Sequence, residues 1–160
     1  MALAVYAAFY TGIERQRVRK GPWRVAFTKD TSGAPAILIN QPKLAITNLQ
    51  ITFPGETPPT ANSVCALVFD QPRPVPYAVP FGKCIFMDTT FQPGTIVLNL
   101  FGHEIQLIPR VLTIDKEELP WRSNATIPLP GNNSSPRPST PIDKRPAPHA
   151  MVLRADILLL

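Results

Sequence analysis

Prolines interrupt this chain repeatedly between Pro22 and Pro148, which leaves little room for long helices. They make up 20 of the 160 residues, about 12% against a usual content of roughly 5%. Inside a helix, a proline lacks the amide donor and clashes with the preceding turn. Hydrophobic residues still make up 44% of the chain, which is enough for one buried core. The composition therefore favours a single domain built mainly from short strands.

Short runs of β-branched and aromatic residues, separated by turn signals, extend from Trp23 to Ile114. Roughly seven or eight strands follow one another here with no helix between them, a pattern typical of a β-sandwich. We therefore predict an all-β fold with a single antiparallel β-sandwich, and a small barrel is the alternative. The predicted strands are 23–28, 36–40, 43–53, 63–70, 83–90, 95–101, 103–108 and 111–114.

Two strand regions carry turn or bend signals. In residues 43–53 the apolar positions change phase near Thr47 and Asn48, which predicts one long strand with a bend or bulge. Residues 95–108 contain two apolar runs on either side of Gly102. Because glycine supplies the positive φ that a tight turn needs, this segment predicts a hairpin.

Two further segments in the middle of the chain predict different structures. Residues 63–70 are mostly apolar, which predicts a strand buried on both faces. Residues 71–80 are rich in proline and have few amides to donate. We expect this second segment to cross between strands in an extended, unpaired form.

Positive charge lies at the two ends of the chain. The net charge is +3 in residues 1–20, −1 in residues 21–118 and +3 in residues 119–160. We interpret these parts as an N-terminal apolar segment with a basic flank, a β-sandwich domain, and a disordered tail rich in proline and serine. The slightly acidic domain lacks the basic surface that nucleic acids require, so no nucleic-acid partner is predicted.

The N-terminal segment has the charge pattern of a membrane-associated helix. Residues 2–13 are uncharged, and a basic flank follows them: Arg15, Arg17, Arg19 and Lys20. One interpretation is a truncated transmembrane helix whose other residues precede Met1, since a span needs about 20 apolar residues. The positive-inside rule then places the domain in the cytoplasm, unless stronger charges lie upstream. The alternatives are an interfacial helix on anionic lipid and an ordinary helix packed on the domain.

The C-terminal tail combines proline, serine and asparagine, and we expect no regular element from Leu119 onward. Its last nine residues, 152–160, are apolar again. Either they dock on the domain or on a partner, or they carry no structure. At this length they are too short to span a bilayer, which needs about 20 residues in a helix.

The residues that most often carry chemistry are few and scattered. Cys65 and Cys84 fall in predicted strands, as small buried residues or alternatively as a disulfide pair. His103 precedes Glu104 but lacks the second histidine of the metal-binding helix motif, so we place His103 at the hairpin turn, facing water. The glycines occur singly, not in a phosphate-binding loop. The sequence predicts no catalytic residue, no metal and no cofactor.

These observations lead to a non-enzymatic β-sandwich near a membrane, with a protein-interaction or structural role. Its predicted partners are the membrane, through the N-terminal segment, and a protein that the sequence does not identify. The first alternative is a carbohydrate- or lipid-binding module that uses the loop 54–62 or the crossover 71–80. The second alternative is an enzyme whose site has no recognisable motif.

Overall fold

The computed structural model describes residues 2–57 and 65–131. One helix, α1 (Ala2–Arg17), precedes the strands, and a short 3₁₀ helix (Pro42–Leu44) lies between the second and third of them. Within the described residues the strands are β1 Trp23–Lys29, β2 Pro35–Gln41, β3 Ile46–Thr52, β4 Cys65–Phe69, β5 Tyr77–Val79, β6 Gly82–Asp88, β7 Thr95–Leu100, β8 His103–Ile108, β9 Val111–Ile114, β10 Glu117–Leu119 and β11 Thr126–Pro128.

The strands form two sheets in a sandwich-like arrangement. The first sheet has the order β11-β3-β2-β1-β4, and the second has the order β10-β9-β8-β7-β6-β5. All neighbours pair antiparallel except β11 and β3, which are parallel. No closed barrel is formed by the described strands. The prediction of an all-β fold with two layers is therefore confirmed.

Alternating side chains from both sheets form the core. In β1, Trp23, Val25 and Phe27 are fully buried, and the residues between them face outward. In the second sheet, Ile105 and Leu107 of β8 are equally buried. This two-residue period is the pattern that a half-buried strand imposes on its sequence. The sandwich thus buries one face of each sheet against the other.

The predicted hairpin at 95–108 is confirmed. Strands β7 and β8 pair from Ile96 opposite Leu107 to Leu100 opposite His103. The two turn residues between them, Phe101 and Gly102, both have positive φ, at 50° and 85°. Positive φ at both central positions is what a two-residue hairpin turn of this hand requires.

The segment 43–53 is not one continuous strand. Pro42 begins a 3₁₀ turn, the side chain of Gln41 accepts a hydrogen bond from the Lys43 amide at its start, and Ala45 ends it with a left-handed φ of 56°. Proline favours this position because its fixed φ suits the first residue of a helical turn. The predicted bend is present, since Asn48 has a φ of 50° within β3.

Two other strand predictions need correction. Among the described strands, β4 lies at the edge of the first sheet and pairs only with β1, and most of its residues are exposed rather than buried on both faces. The crossover 71–80 contains a paired strand, β5, because Tyr77, Ala78 and Val79 are three consecutive residues with amide donors. Prolines on either side confine β5 to a sheet edge, where such residues are tolerated.

Residues 119–131 belong to the folded domain, although we expected no regular element after Leu119. Strand β11 pairs with β3, and the amide of Leu129 donates to the Thr52 carbonyl at 2.8 Å. The ring of Trp121 packs on Trp23 with 5.1 Å between centroids. An aromatic side chain that packs on the core outweighs the unfavourable composition around it. Residues 132–160, with the apolar segment 152–160, lie outside the described residues.

The substitution Trp121→Ala tests whether this segment supports the domain. We expect it to lower the free energy of unfolding by about 2 to 4 kcal/mol, because it removes a half-buried ring from the end of the core. Urea unfolding of the full chain measures the effect, and Arg122→Ala, at an exposed neighbour, serves as the control. Equal urea midpoints for Trp121→Ala and the parent would show that residues 119–131 do not contribute to the fold.

Candidate functional site

Helix α1 projects from the domain with its apolar side chains exposed. Leu3, Tyr6 and Phe9 keep 84%, 72% and 70% of their surface accessible, and Ile13 keeps 55%. Every residue from position 3 to position 13 is exposed. The predicted alternative, an ordinary helix packed on the domain, is therefore wrong for residues 3–13.

Large and small side chains occupy different faces of α1. Successive residues turn by about 100° around a helix, so positions separated by three or four share a face. The large residues on one face are Tyr6, Phe9, Tyr10 and Ile13, and the rings of Tyr6 and Tyr10 stack at 6.4 Å between centroids. The small residues on the opposite face are Ala4, Ala7, Ala8 and Thr11. The helix thus presents an aromatic stripe that the domain does not cover.

Helix α1 has 16 residues. In the part of the chain that the structure describes, no helix is long and apolar enough to cross a membrane. The predicted transmembrane helix is not found there.

Arg17 connects α1 to the second sheet. Its guanidinium Nε donates to the Thr90 carbonyl at 2.9 Å, and its own carbonyl accepts from the Gln92 amide at 2.7 Å. Its Nη1 also pairs with the Glu14 carboxylate at 2.8 Å. One of the four basic residues predicted to flank a membrane, Arg17, therefore attaches the helix to the loop between β6 and β7.

The other three predicted basic residues remain exposed. Arg15, Arg19 and Lys20 form no ion pair with any described residue. Arg19 and Lys20 line a recess at the base of α1, together with Arg24 of β1 and Lys43 of the 3₁₀ helix. The sequence did not single out Arg24 or Lys43 as site residues. Arg24 falls inside a predicted strand, and Lys43 is distant from the N-terminal flank along the chain, so that only the fold brings it beside Lys20.

His103 is buried, not exposed at the hairpin turn as we expected. Its Nδ1 lies 2.6 Å from an Asp115 carboxylate oxygen, and its Nε2 lies 3.2 Å from the Pro130 carbonyl oxygen. The strand period contains the missed signal, since His103 has the same parity as the buried Ile105. Both ring nitrogens have partners within the fold, so His103 ties the residues after β11 to the second sheet.

The two cysteines are unpaired and lie in different environments. Cys65 is exposed on the edge strand β4, and Cys84 is buried in β6. The prediction of two small buried residues is correct for Cys84 and wrong for Cys65, because an edge strand leaves one side open. The structure contains no disulfide between them. Within residues 2–57 and 65–131, no group of three His, Cys, Asp or Glu side chains is placed to hold a metal ion.

A shallow apolar pocket of about 430 Å³ lies at the β5 edge of the second sheet. Tyr77 and Phe101 contribute aromatic surface, while Lys83 and Asn99 contribute polar groups. Burial raises the pKa of the Tyr77 hydroxyl, and the neighbouring Cys84 thiol raises it further. The Tyr77 hydroxyl therefore ionises only at a more alkaline pH than an ordinary tyrosine.

Comparisons with known proteins add no family to this description. No protein-family model matches the chain, and no curated protein or solved structure matches it either.

The different environments of the two cysteines predict different rates of alkylation. Burial is the main cause that raises the pKa of the Cys84 thiol, and only the thiolate reacts. With iodoacetamide at neutral pH, we expect Cys65 to be labelled at least about tenfold faster than Cys84 in the folded chain. Mass spectrometry of the labelled peptides measures both rates, and unfolding in urea should make them similar. Similar rates in the folded chain would contradict the buried position of Cys84.

Proposed function

We propose that this protein is a β-sandwich domain held at a membrane surface by α1, with a binding or structural role rather than a catalytic one. The observation that carries the proposal is the exposed aromatic stripe on α1, where Tyr6 and Phe9 keep 72% and 70% of their surface accessible. Transfer of such side chains from water into an apolar environment is favourable, by about 1.5 to 3 kcal/mol for each large apolar side chain.

The distribution of charge supports a lipid partner for this stripe. Residues 2–13 contain no charged side chain, and the exposed cations Arg15, Arg19 and Lys20 follow at the base of the helix. Tyrosine and cationic side chains both suit the headgroup region of a bilayer. The cations also favour the cytoplasmic leaflet, because its anionic lipids give it a negative surface potential.

The two faces of α1 support an orientation parallel to the membrane surface. In this position the face with Phe9 and Ile13 enters the boundary between headgroups and acyl chains, and the face with Ala4 and Thr11 stays toward water. A helix of this length is only marginally stable alone in water. Contact with lipid therefore stabilises a helix that the domain contacts chiefly through Arg17.

Paired aspartate substitutions on the two faces of α1 test this proposal. Phe9→Asp should reduce the binding of the full chain to neutral phosphatidylcholine vesicles by at least about tenfold, because it places a charge where the proposal puts an aromatic ring in lipid. Thr11→Asp introduces the same charge on the opposite face and should change binding by less than about twofold. Vesicle flotation at several lipid concentrations gives the partition coefficients.

Two outcomes contradict the proposal in different ways. If the parent chain does not float with neutral vesicles, α1 does not attach the domain to a membrane. If Thr11→Asp reduces binding as much as Phe9→Asp, both faces are in lipid and the parallel orientation is wrong.

A carbohydrate-binding role is a second candidate, and the apolar pocket at β5 favours it. Sugars pack their apolar faces on aromatic rings such as those of Tyr77 and Phe101, while Lys83 and Asn99 offer hydrogen-bond donors. A glycan array probed with the full chain tests this role. We expect hits that Asn99→Ala weakens, and an array without any hit at millimolar glycan concentration removes the candidate.

A further inference from the structure

A basic recess lies where α1 meets the sandwich. Its volume is about 250 Å³, and four cationic side chains line it: Arg19, Lys20, Arg24 and Lys43. No acidic residue is among its lining residues. A recess of this volume is smaller than the roughly 300 Å³ at which pockets for drug-sized ligands begin, and suits a small anionic group.

The buried side chain of Gln41 builds this recess. Its amide Nε2 donates to the carbonyls of Gly21 and Pro22 at 2.8 and 2.9 Å, and its Oε1 accepts from the Lys43 amide at 3.1 Å. Gln41 is only 1% exposed, so these bonds form away from water. The side chain of Gln41 therefore fixes the turn after α1 against the 3₁₀ helix. In this arrangement Lys20 of the turn and Lys43 of the 3₁₀ helix line the same recess.

The positive charge of the recess is not neutralised within the described part of the chain. None of its four cations forms an ion pair with a described residue. Arg17 differs, because the Glu14 carboxylate neutralises it outside the recess. Like charges held together raise the local electrostatic potential, and an anion that binds there removes the repulsion.

We propose that this recess binds the phosphate of an anionic phospholipid headgroup. The inference rests on the proposed membrane attachment, because the recess lies at the base of the helix that would contact the bilayer. Arg19 and Lys20 lie in the turn after α1, so a helix in the interface places them at the depth of the headgroups. Arg24 and Lys43 then extend the contact from the helix to the domain, which fixes the orientation of the sandwich on the membrane.

Charge-neutralising substitutions in the domain test the recess without altering α1. The variant Arg24→Gln/Lys43→Gln removes two recess cations, and the control Lys29→Gln/Lys116→Gln removes two exposed cations at the end of the sandwich away from α1. Binding of the full chain is measured on phosphatidylcholine vesicles with and without about 20% phosphatidylserine, at low salt. Urea unfolding of each variant confirms that the domain is folded.

The two kinds of vesicle separate this inference from the proposed function. We expect the recess variant to bind anionic vesicles about 10- to 30-fold more weakly than the parent and neutral vesicles equally well, while the control variant changes each by less than about threefold. Equal binding of the recess variant and the parent to anionic vesicles overturns the inference and leaves membrane attachment intact. Failure of the parent to bind either vesicle overturns both.

A titration with inorganic phosphate distinguishes the lipid from a free anion. If the parent binds inorganic phosphate in the recess, measured by NMR shifts of the Arg24 and Lys43 amides, but its vesicle binding does not depend on phosphatidylserine, the lipid assignment is overturned. If vesicle binding depends on both phosphatidylserine and the two cations, the assignment is supported.

Discussion

Trp23 connects β1, the loop between β6 and β7, and the segment 119–131 at the end of the sandwich where α1 is attached. It is the first residue of β1, is fully buried, and donates its indole N–H to the Gly94 carbonyl in the loop between β6 and β7. Its ring also packs on Trp121, which in turn donates to the Ile108 carbonyl. Because the same loop holds Arg17, the packing around Trp23 determines where the helix and the basic recess lie relative to the two sheets.

The domain and the helix differ in how they satisfy their apolar surface. The two sheets bury their inner faces against one another. The aromatic stripe of α1 has no such partner in the described chain, and we propose that a membrane surface covers it. The recess at the base of the helix has the complementary property, because its four cations have no acidic partner among the residues that the structure describes. An apolar stripe beside a cationic recess matches the two layers of a membrane surface, acyl chains and phosphate groups.

Sequence periodicity predicted the parts of the fold that depend on local pattern. The alternation in β1 and β8 and the turn at Gly102 determine the layers and the hairpin, because each requires only neighbouring residues. The pattern failed where a long-range contact determines the structure. Residues 119–131 are rich in proline, but Trp121 packs on Trp23 and so attaches this segment to the domain. The candidate site shows the same division. Arg19 and Lys20 were evident beside the apolar segment. Lys43 lies near them because the side chain of Gln41 bonds both the Lys43 amide and the turn after α1.

Hydrogen–deuterium exchange of the full chain, with and without anionic vesicles, tests whether lipid stabilises α1 beside a sandwich that is stable without it. We expect slow exchange in β1, β2, β7 and β8 under both conditions, because their amides are paired inside the sandwich. We also expect fast exchange of the α1 amides in solution and strong protection of the same amides on vesicles. Protection of α1 without lipid, or fast exchange across the paired strands, would contradict the picture of a stable sandwich whose helix requires a membrane.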